Sequence, residues 1–268
     1  MKNKVVIITG ASSGIGKALS FEMGNRGAIV VIAARSDDKL REIESELIDS
    51  GVNVLAIKAD VSVEADCRNL IESTIDKYGR IDVLINNAGL SMRALFEEVE
   101  LSVIKRLMDV NFWGTVYCTK FALPYLLRAK GSVIGVSSIA GFKGLPGRTG
   151  YSASKFAMQG FLETLRIENM KKGLHVLIAC PGFTASNIRN TALAADGSRQ
   201  GESPRDEESM MQAGEVAVKI ADAIEKRKKI LVMTTQGKMT VLLNKLFPFF
   251  VDRLVYNHMA KEPDSPFK

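Results

Sequence analysis

Short runs of apolar, often β-branched residues recur along the chain and alternate with longer amphipathic stretches. The runs are Val5–Ile8, Ile29–Ala34, Val54–Lys58, Asp82–Ile85, Ser132–Ser137, His175–Ala179 and Ile230–Met233. Runs of this length and type are typical of strands buried on both faces. Helical patterns separate them at Ile15–Asn25, Asp37–Ile48, Glu64–Lys77, Leu101–Arg128, Tyr151–Lys172 and Val216–Arg227. This alternation predicts an α/β fold with a doubly wound parallel sheet of about seven strands and helices on both faces.

The alternation continues without a linker-like composition until about residue 185. We therefore predict a single domain, with residues 1–235 as its main body and 236–268 as a helical extension. The segment 184–209 is polar and irregular, and it is long for a loop between a core strand and a core helix. Two interpretations stay open for it: a disordered surface insertion, or a mobile lid over a ligand.

Composition narrows the class of protein. Of the 268 residues, 46% are apolar and 25% charged, as in an ordinary soluble globular protein. The net charge of +6 comes from scattered basic residues without interleaved aromatic side chains, so we predict a solvated surface and no nucleic-acid partner. The apolar run Val5–Ile8 is too short for a signal peptide or a membrane span, which predicts a cytoplasmic protein.

Cysteine and histidine usage argues against two further classes of site. Cys67, Cys118 and Cys180 are odd in number, far apart and without a C-x-x-C pair, so we expect no disulfide framework. The two histidines, His175 and His258, do not have the spacing of metal ligands. We therefore expect no metal site.

A glycine-rich turn follows the first predicted strand. Its glycines permit a tight turn and a close approach of the backbone to a phosphate, and the N-terminus of the next helix would face that phosphate. Strand, glycine turn and helix in succession are typical of a Rossmann-like dinucleotide site, here with the spacing G-x-x-x-G-x-G. The turn residues that we assign to cofactor binding are Gly10, Ser12, Ser13, Gly14, Ile15 and Gly16.

The end of the second strand bears on the choice of cofactor. In a dinucleotide fold an acidic residue at this place binds the 2′-hydroxyl of NAD, whereas an arginine accommodates the 2′-phosphate of NADP. Ala34 is followed here by Arg35 and Ser36, and the acids Asp37 and Asp38 fit the first turn of the next helix. We predict that NADP(H) is preferred and that NAD(H) is possible, while a simple surface role for Arg35 stays open.

Tyr151 and Lys155 stand four residues apart in a predicted helix and so project from the same face. A lysine ammonium beside a tyrosine favours the phenolate and lowers the pKa of the tyrosine from its usual value of about 10. Such a pair can accept and donate protons near neutral pH. The simpler alternative is the start of a helix with a solvated lysine.

Taken in order, these and other residues resemble the short-chain dehydrogenase/reductase family. The resemblance extends from residue 9 to about 187, and its motifs are Thr9–Gly16, Asp60, Asn86–Gly89, Asn111, Ser138, Tyr151-x-x-x-Lys155 and Pro181-Gly182.

The resemblance implies a catalytic role for four side chains. Ser138, thirteen residues before Tyr151, would hydrogen-bond the substrate oxygen in preference to its neighbour Ser137. Tyr151 would move the proton, Lys155 would lower the pKa of Tyr151 and hold the nicotinamide ribose, and Asn111 would anchor a water molecule in a proton relay.

The resemblance also implies further contacts with the cofactor. Asp60 and Val61 would meet the adenine, and the backbone of Asn87, Ala88 and Gly89 the ribose. Thr184, after Pro181 and Gly182, would meet the carboxamide or the phosphates. Ser13 stands where many NADP-preferring members have a basic residue, so the predicted preference depends on Arg35 and Ser36.

The expected function is an NADP-dependent oxidoreductase acting on a ketone or a secondary alcohol. A catalytically silent NADP-binding regulator or scaffold of the same fold is the alternative. Leu101–Arg128 and Tyr151–Lys172 carry broad apolar faces, and members of the family commonly pair these helices across a two-fold axis, so we expect a homodimer or homotetramer.

The stretch 238–261 is rich in leucine, valine and phenylalanine, with Lys238, Lys245 and Arg253 among them. Pro248 is predicted to divide it into two short helices. The stretch is too short and too charged to span a bilayer. It either packs on the core or at a subunit interface, or lies on a membrane surface as a peripheral contact. In both cases its apolar character favours a hydrophobic substrate, either steroid-like or bearing an acyl chain.

Overall fold

Parallel strands of the predicted kind form the centre of the computed structural model, which describes residues 1–185, 188–201, 210–262 and 265–267. The strands are β1 Val5–Thr9, β2 Ile29–Ala34, β3 Val54–Lys58, β4 Val83–Asn86, β5 Ser132–Val136, β6 His175–Cys180, β7 Thr184–Ala185, β8 Met211–Gln212 and β9 Ile230–Val232. The helices are α1 Gly14–Asn25, α2 Asp37–Asp49, α3 Glu64–Tyr78, α4 Leu101–Leu107, α5 Gly114–Arg128, α6 Thr149–Glu168, α7 Ala213–Glu225, α8 Thr235–Leu246 and α9 Pro248–Met259.

The main sheet has seven strands in the order β3-β2-β1-β4-β5-β6-β9, and all neighbouring pairs are parallel. This confirms the predicted Rossmann-like doubly wound fold in a single domain. The order reverses between β1 and β4, and in such sheets ligands bind at the carboxyl ends of the strands near this reversal. The glycine turn after β1 and Asn87 after β4 both lie there.

Alternate strand residues enter two separate cores, one on each face of the sheet. Val5 and Ile7 belong to the core formed with α3, α5 and α6, whereas Val6 and Ile8 belong to the core formed with α1, α2 and α7. Because both faces are covered, every residue of β1 is buried. This explains why the strands read as continuous apolar runs.

Two features of the middle of the chain differ from the prediction. The long helix predicted over Leu101–Arg128 contains a π-helical segment, Met108–Trp113, between α4 and α5. A π turn shifts the register of the side chains by one residue and is often found at functional sites, and this one carries Asn111. The short parallel pair of β7 and β8 was not predicted, because two-residue strands carry no periodicity.

Pro248 divides the carboxyl-terminal stretch into α8 and α9, as predicted, and it occupies the start of α9, where its missing N–H costs no hydrogen bond. Large apolar side chains on these helices remain exposed, including Phe249, which is 84% exposed. Among the described residues, no helix is long and apolar enough to cross a membrane.

Candidate active site

The turn between β1 and α1 depends on its glycines. Gly10 and Gly14 have φ angles of +67° and +53°, a region that side chains disfavour. Gly16 is constrained by space, because a Cβ on it would lie 2.2 Å from the carbonyl oxygen of Gly10. The turn therefore brings bare backbone to the carboxyl edge of β1, at the N-terminus of α1.

Asn87 and Thr9 hold this turn against the next strand. The side-chain amide of Asn87 donates to the carbonyl oxygens of Thr9 and Gly10 at 3.0 and 3.2 Å. The Thr9 hydroxyl accepts hydrogen bonds from the backbone N–H groups of Asn87 and Ala88, both at 3.1 Å. The Asn86–Gly89 motif thus fixes the glycine turn, and its own backbone borders the same space.

A cavity of about 610 Å³ lies beside the glycine turn. Twelve of the residues predicted to bind the cofactor line it, namely Gly10, Ser12, Ser13, Gly14, Ile15, Arg35, Ser36, Asp60, Val61, Asn87, Ala88 and Gly89. The cavity is large enough for a nucleotide cofactor. Residues that bound the cavity but were not predicted include three cations, Lys39, Arg106 and Arg199.

The three unpredicted cations come from separate parts of the chain. Lys39 is exposed in the first turn of α2, Arg106 lies in α4, and Arg199 lies in the segment predicted as a lid. Lys39 follows Arg35 by four residues, so proximity in sequence could have indicated it. Nothing in the sequence pattern indicated Arg106 or Arg199, because long-range folding brings them here.

Arg35 and Asp60 face each other across the cavity wall. The closest Arg35 nitrogen is 3.9 Å from an Asp60 oxygen, and both side chains are partly exposed. The other Asp60 oxygen accepts from the backbone N–H and the hydroxyl of Ser62 at 3.0 and 2.7 Å. Asp60 therefore supports the loop after β3, while the Arg35 guanidinium stays accessible to an anion.

The predicted catalytic side chains meet where β5 ends and α6 begins. The Lys155 ammonium lies 5.8 Å from the centre of the Tyr151 ring, one turn along the helix, and donates to the carbonyl oxygen of Val136 at 2.9 Å. Ser138 follows β5, and its hydroxyl is close enough to the Tyr151 side chain to favour the phenolate and lower its pKa. Ser138, Tyr151 and Lys155 thus form one group.

Burial shifts the pKa values of both members of the Tyr151–Lys155 pair. Desolvation raises the pKa of Tyr151, although the Ser138 side chain and the positive charge of Arg148 oppose the shift. Burial lowers the pKa of Lys155 from 10.5 to about 8. The net shift of the Tyr151 pKa is therefore upward, because the cost of burying the phenolate is the largest effect, and the role of Lys155 in lowering this pKa stays a prediction.

Asn111 joins this group from the π-helical segment. Its side-chain oxygen accepts from the Leu90 N–H at 2.8 Å, and its nitrogen donates to the Leu90 carbonyl and the Ser154 hydroxyl, both at 2.9 Å. The Asn111 oxygen and the Lys155 nitrogen lie 3.3 and 3.5 Å from where a Cβ on Gly89 would be. Asn111 is thus placed between α6 and the cavity wall, while its role in a proton relay stays a prediction.

Gln159, one turn beyond Lys155, was not predicted. Its amide nitrogen donates to the Ser137 hydroxyl at 2.8 Å and approaches the Ser138 carbonyl at 3.4 Å. Gln159 therefore ties the chain after β5 to α6. Its spacing of four residues from Lys155 is the sequence signal that could have indicated it.

Pro181, Gly182 and Thr184 follow β6 and do not border the cavity. A Cβ on Gly182 would lie 2.6 Å from the Thr234 side chain, so this turn packs against the start of α8. The Thr184 hydroxyl donates to the Gly182 carbonyl at 3.2 Å, and Arg189 donates to the Thr184 carbonyl at 2.7 Å. Their predicted contacts with the cofactor stay predictions.

The predicted lid, 184–209, is described in part. Its residues 186–187 and 202–209 lie outside the described residues. Ile188, Thr191, Leu193 and Arg199 line the cavity, and the Leu193 N–H donates to the Ser91 carbonyl at 2.9 Å. The described part of the segment therefore forms one wall of the cavity.

Within the described residues there is no set of three His, Cys, Asp or Glu side chains placed to hold a metal ion. Cys67, Cys118 and Cys180 are free thiols, and burial raises the pKa of Cys180 to about 12. The Cys180 thiol is therefore a neutral neighbour of Lys155.

Comparison with known sequences shows the relationship. A family model for short chain dehydrogenases matches residues 4–196. The chain is 42% identical to 11-beta-hydroxysteroid dehydrogenase A of Sesamum indicum over 187 residues, which are 69% of this chain and 53% of that protein. It is 35% identical to Dehydrogenase/reductase SDR family protein 7-like of Dictyostelium discoideum over 262 residues, 95% of this chain and 81% of that protein. The chain thus spans about half the length of the first of these relatives.

Solved structures share the fold. A short-chain dehydrogenase/reductase from Burkholderia phymatum in complex with NAD superimposes with a TM-score of 0.82 at 24% identity, covering 91% of this chain and 93% of that one. An alcohol dehydrogenase from the archaeon Thermococcus sibiricus complexed with 5-hydroxy-NADP gives a TM-score of 0.76 at 24% identity, covering 87% and 96%. With the family match over most of its length and the parallel sheet described above, the chain belongs to the short-chain dehydrogenase/reductase family.

Proposed function

We propose that this protein is an NADP-dependent oxidoreductase that interconverts a ketone and a secondary alcohol, with Tyr151 as general acid and base. One observation carries the proposal: the Ser138 and Tyr151 hydroxyls and the Lys155 ammonium form one group adjoining the nucleotide-sized cavity. The Lys155 nitrogen lies 3.5 Å from where a Cβ on Gly89 would be, and Gly89 lines that cavity.

The chemistry follows from where charge develops. The nicotinamide cofactor supplies the hydride, which no side chain can provide. As a carbonyl is reduced, negative charge grows on its oxygen, and the Ser138 and Tyr151 hydroxyls donate to that oxygen. Tyr151 transfers its proton, and the buried Lys155 cation stabilises the phenolate that remains. In the oxidative direction Tyr151 accepts the proton of the alcohol.

The raised pKa of Tyr151 suits its role as an acid in reduction. A neutral hydroxyl is the form that donates a proton, and burial keeps Tyr151 neutral near pH 7. Lys155, with a pKa of about 8, changes charge close to neutral pH. We therefore expect turnover to respond to pH in the range where Lys155 titrates.

A preference for NADP is supported by the charges at the carboxyl end of β2. Arg35 and Lys39 both line the cavity there, next to the Ser36 hydroxyl. Asp60, the nearest acid, faces Arg35 and is held by Ser62. Two cations and a hydroxyl match a 2′-phosphate, and a charge-assisted hydrogen bond to it is worth roughly 1.5–3 kcal/mol.

The reaction is tested by following NADPH absorbance with a panel of ketones and comparing the wild type with Tyr151→Phe. The variant keeps the ring and loses the transferable proton, so turnover should fall by about 100-fold or more while cofactor affinity changes little. Full activity in Tyr151→Phe would overturn the catalytic assignment. Absence of turnover with every carbonyl, together with intact NADPH binding, would favour the silent regulator or scaffold.

The cofactor preference is tested by calorimetry with NADP and NAD. Arg35→Ala should weaken NADP binding by about 10-fold or more and leave NAD binding nearly unchanged. Arg41→Ala is the matched control, because Arg41 is an exposed arginine like Arg35. Arg41 lies on α2, pairs with Asp37 and Glu44, and does not line the cavity. Tighter binding of NAD than of NADP by the wild type would contradict the proposal.

The proposed substrate is a hydrophobic ketone or alcohol, either steroid-like or bearing an acyl chain. The apolar helices α8 and α9 support this, because Gly237 of α8 packs against Ile139, next to Ser138. The names of several relatives, among them 11-beta-hydroxysteroid dehydrogenase A, fit a substrate of this class. Turnover confined to small polar sugars in the ketone panel would exclude it.

A homodimer or homotetramer is the proposed assembly. Trp113, at the end of the π-helical segment, and Phe156 on α6 are 42% and 46% exposed. Exposed aromatic side chains of this kind are enriched at interfaces between subunits. Sedimentation at micromolar concentration should give a mass of two or four chains, and a monomer would contradict the assignment.

Peripheral contact with a membrane is proposed for the face of α8 and α9. Leu246, Phe249 and Phe250 are 62%, 84% and 56% exposed, whereas Val251 and Met259 are the side chains that α9 buries. This weakens the alternative that the whole segment packs on the core. Exposed aromatics flanked by Lys238, Lys245 and Arg253 match a surface of anionic lipid. The proposed location is therefore the cytoplasm, with part of the protein on a membrane.

Flotation with anionic vesicles at low salt tests this contact. The wild type should float with the vesicles, and the double variant Phe249→Ser/Phe250→Ser should not. Phe96→Ser is the matched control, because Phe96 is 63% exposed outside α8 and α9. Failure of the wild type to float would exclude the membrane and favour a second copy of the chain on this face.

A further inference from the structure

The carboxyl-terminal tail ends on the loop that leads into Tyr151. Glu262, three residues after α9, is 5% exposed, and its two carboxylate oxygens lie 3.2 and 3.5 Å from one Arg148 nitrogen. Arg93 is also close, with a nitrogen 3.8 Å from the same carboxylate. Arg148 is 9% exposed, so this ion-pair cluster lies inside the protein.

Neighbouring contacts hold the loop before Tyr151 from two sides. The Ala94 N–H donates to the Gly147 carbonyl at 3.0 Å, which joins this loop to the segment that carries Arg93. A Cβ on Gly147 would lie 3.5 Å from the Pro266 ring. The tail therefore covers the loop on its outer side, and Glu262 supplies the charge in that contact.

Arg148 is coupled to the first turn of α6 in two ways. Its carbonyl accepts from the Ser152 N–H at 2.8 Å, so its backbone sets where the helix begins. Its guanidinium charge acts on Tyr151, where it opposes the effect of burial on the tyrosine pKa. A shift of Arg148 would change both the position and the charge environment of Tyr151.

We propose that Glu262 is a positioning residue for Tyr151, which acts by holding Arg148 at the start of α6. The proposal rests on the function proposed above and deepens it. According to this proposal, the carboxyl-terminal tail helps to set the proton affinity of Tyr151, although the two are far apart in sequence.

Other charged groups around this site are accounted for. Lys155 faces Tyr151 from the next turn of α6, and Cys180 faces it from the end of β6. Lys143 is paired with Asp252 of α9 at 2.5 Å. His258 of α9 lies beside Phe183, with ring centres 6.1 Å apart. None of these groups is altered by exchanging Glu262 or Arg148.

Release of Arg148 predicts shifts of the same sign in two variants. Glu262→Gln frees Arg148 from the start of α6, so Tyr151 loses a nearby positive charge and its pKa should rise by about half a unit or more. Arg148→Gln removes the positive charge itself, so the pKa of Tyr151 should rise by a similar amount. A direct effect of the Glu262 charge on Tyr151 would instead lower the pKa in Glu262→Gln.

The experiment is a titration of tyrosinate absorbance, in which each variant is compared with the same variant carrying Tyr151→Phe. The difference between the two reports Tyr151 alone and needs no turnover. Glu163→Gln is the matched control, because it breaks the pair between Glu163 and Arg166 on the same helix. The control should leave the Tyr151 pKa unchanged.

Two further measurements keep the outcome decisive. Arg148→Lys retains the cation and should stay within a few tenths of a pKa unit of the wild type, including the case in which Arg148→Gln does not fold. Hydrogen exchange in residues 144–150 should increase in Glu262→Gln. No shift, or a fall of the Tyr151 pKa in Glu262→Gln, would overturn the proposal. An inactive wild type in which both variants raise the Tyr151 pKa would overturn the proposed reaction and support the role of Glu262.

Discussion

The buried Lys155 ammonium is predicted to destabilise the folded state. Lys155 is 3% exposed, and burial lowers its pKa from 10.5 to about 8. One pKa unit corresponds to about 1.4 kcal/mol, so the ammonium costs the folded state about 3 kcal/mol near pH 7. Lys155→Met removes this cost and keeps the length of the side chain, but it also removes the hydrogen bond to the Val136 carbonyl, worth about 1–3 kcal/mol when left unmade.

The pH dependence of the unfolding free energy separates the ionisation of Lys155 from these packing effects. Because the folded pKa lies below the unfolded one, the unfolded chain binds more protons between about pH 8 and 10.5, and stability rises with pH in this range. Between about pH 7 and pH 10 the wild type should gain about 2.5 kcal/mol relative to Lys155→Met. The opposing contributions of Tyr151 and Cys180, whose pKa values are raised, occur in both proteins.

Urea unfolding of both proteins at a series of pH values measures this difference. The free-energy curves should converge or cross as the pH rises, while activity in Lys155→Met is lost throughout. Lys219→Met, an exchange of an exposed lysine on α7, should run parallel to the wild type. Parallel curves for the wild type and Lys155→Met would refute the claim that burial sets the pKa of Lys155.

Three further substitutions test the glycine turn, the chain after β5 and the start of β1. Gly16→Ala should weaken NADPH binding about 10-fold or more in a fluorescence titration, because its Cβ would lie 2.2 Å from the Gly10 carbonyl oxygen and displace the glycine turn; unchanged affinity would contradict this. Gln159→Leu should lower kcat more than it raises KM for NADPH, since it releases Ser137 and Ser138, and equal effects on both constants would argue for a general loss of structure. Asp82→Ala should cost about 1–3 kcal/mol in urea unfolding, because the 1% exposed carboxylate accepts from the Val5 N–H at 3.0 Å, and a neutral result would refute its role in β1.

Local sequence determined the secondary structure and much of the cofactor site. Strands covered on both faces must be apolar throughout, so their positions follow from composition over a few residues. Their alternation with helices requires parallel strands, and parallel strands place the turns after β1 and β2 at one edge of the sheet. For this reason the cavity contains most of the residues predicted to bind a cofactor, from Gly10 to Gly89.

Tertiary structure decided what depends on contacts between distant segments. Arg106 and Arg199 reach the cavity because α4 and the segment after β7 fold over it, which no local pattern encodes. Burial reverses the expected shift of the Tyr151 pKa, since desolvation depends on everything packed around the ring.

The carboxyl-terminal part of the chain shows most clearly which features follow from local sequence and which from tertiary structure. Pro248 alone determined that the stretch forms two helices, because proline constrains its own backbone. Whether Phe249 is buried or exposed, and whether Glu262 meets Arg148, depends on the path of the tail across the finished core. A backbone constraint acts within a few residues, whereas burial and ion pairing between distant residues exist only once the whole chain has folded.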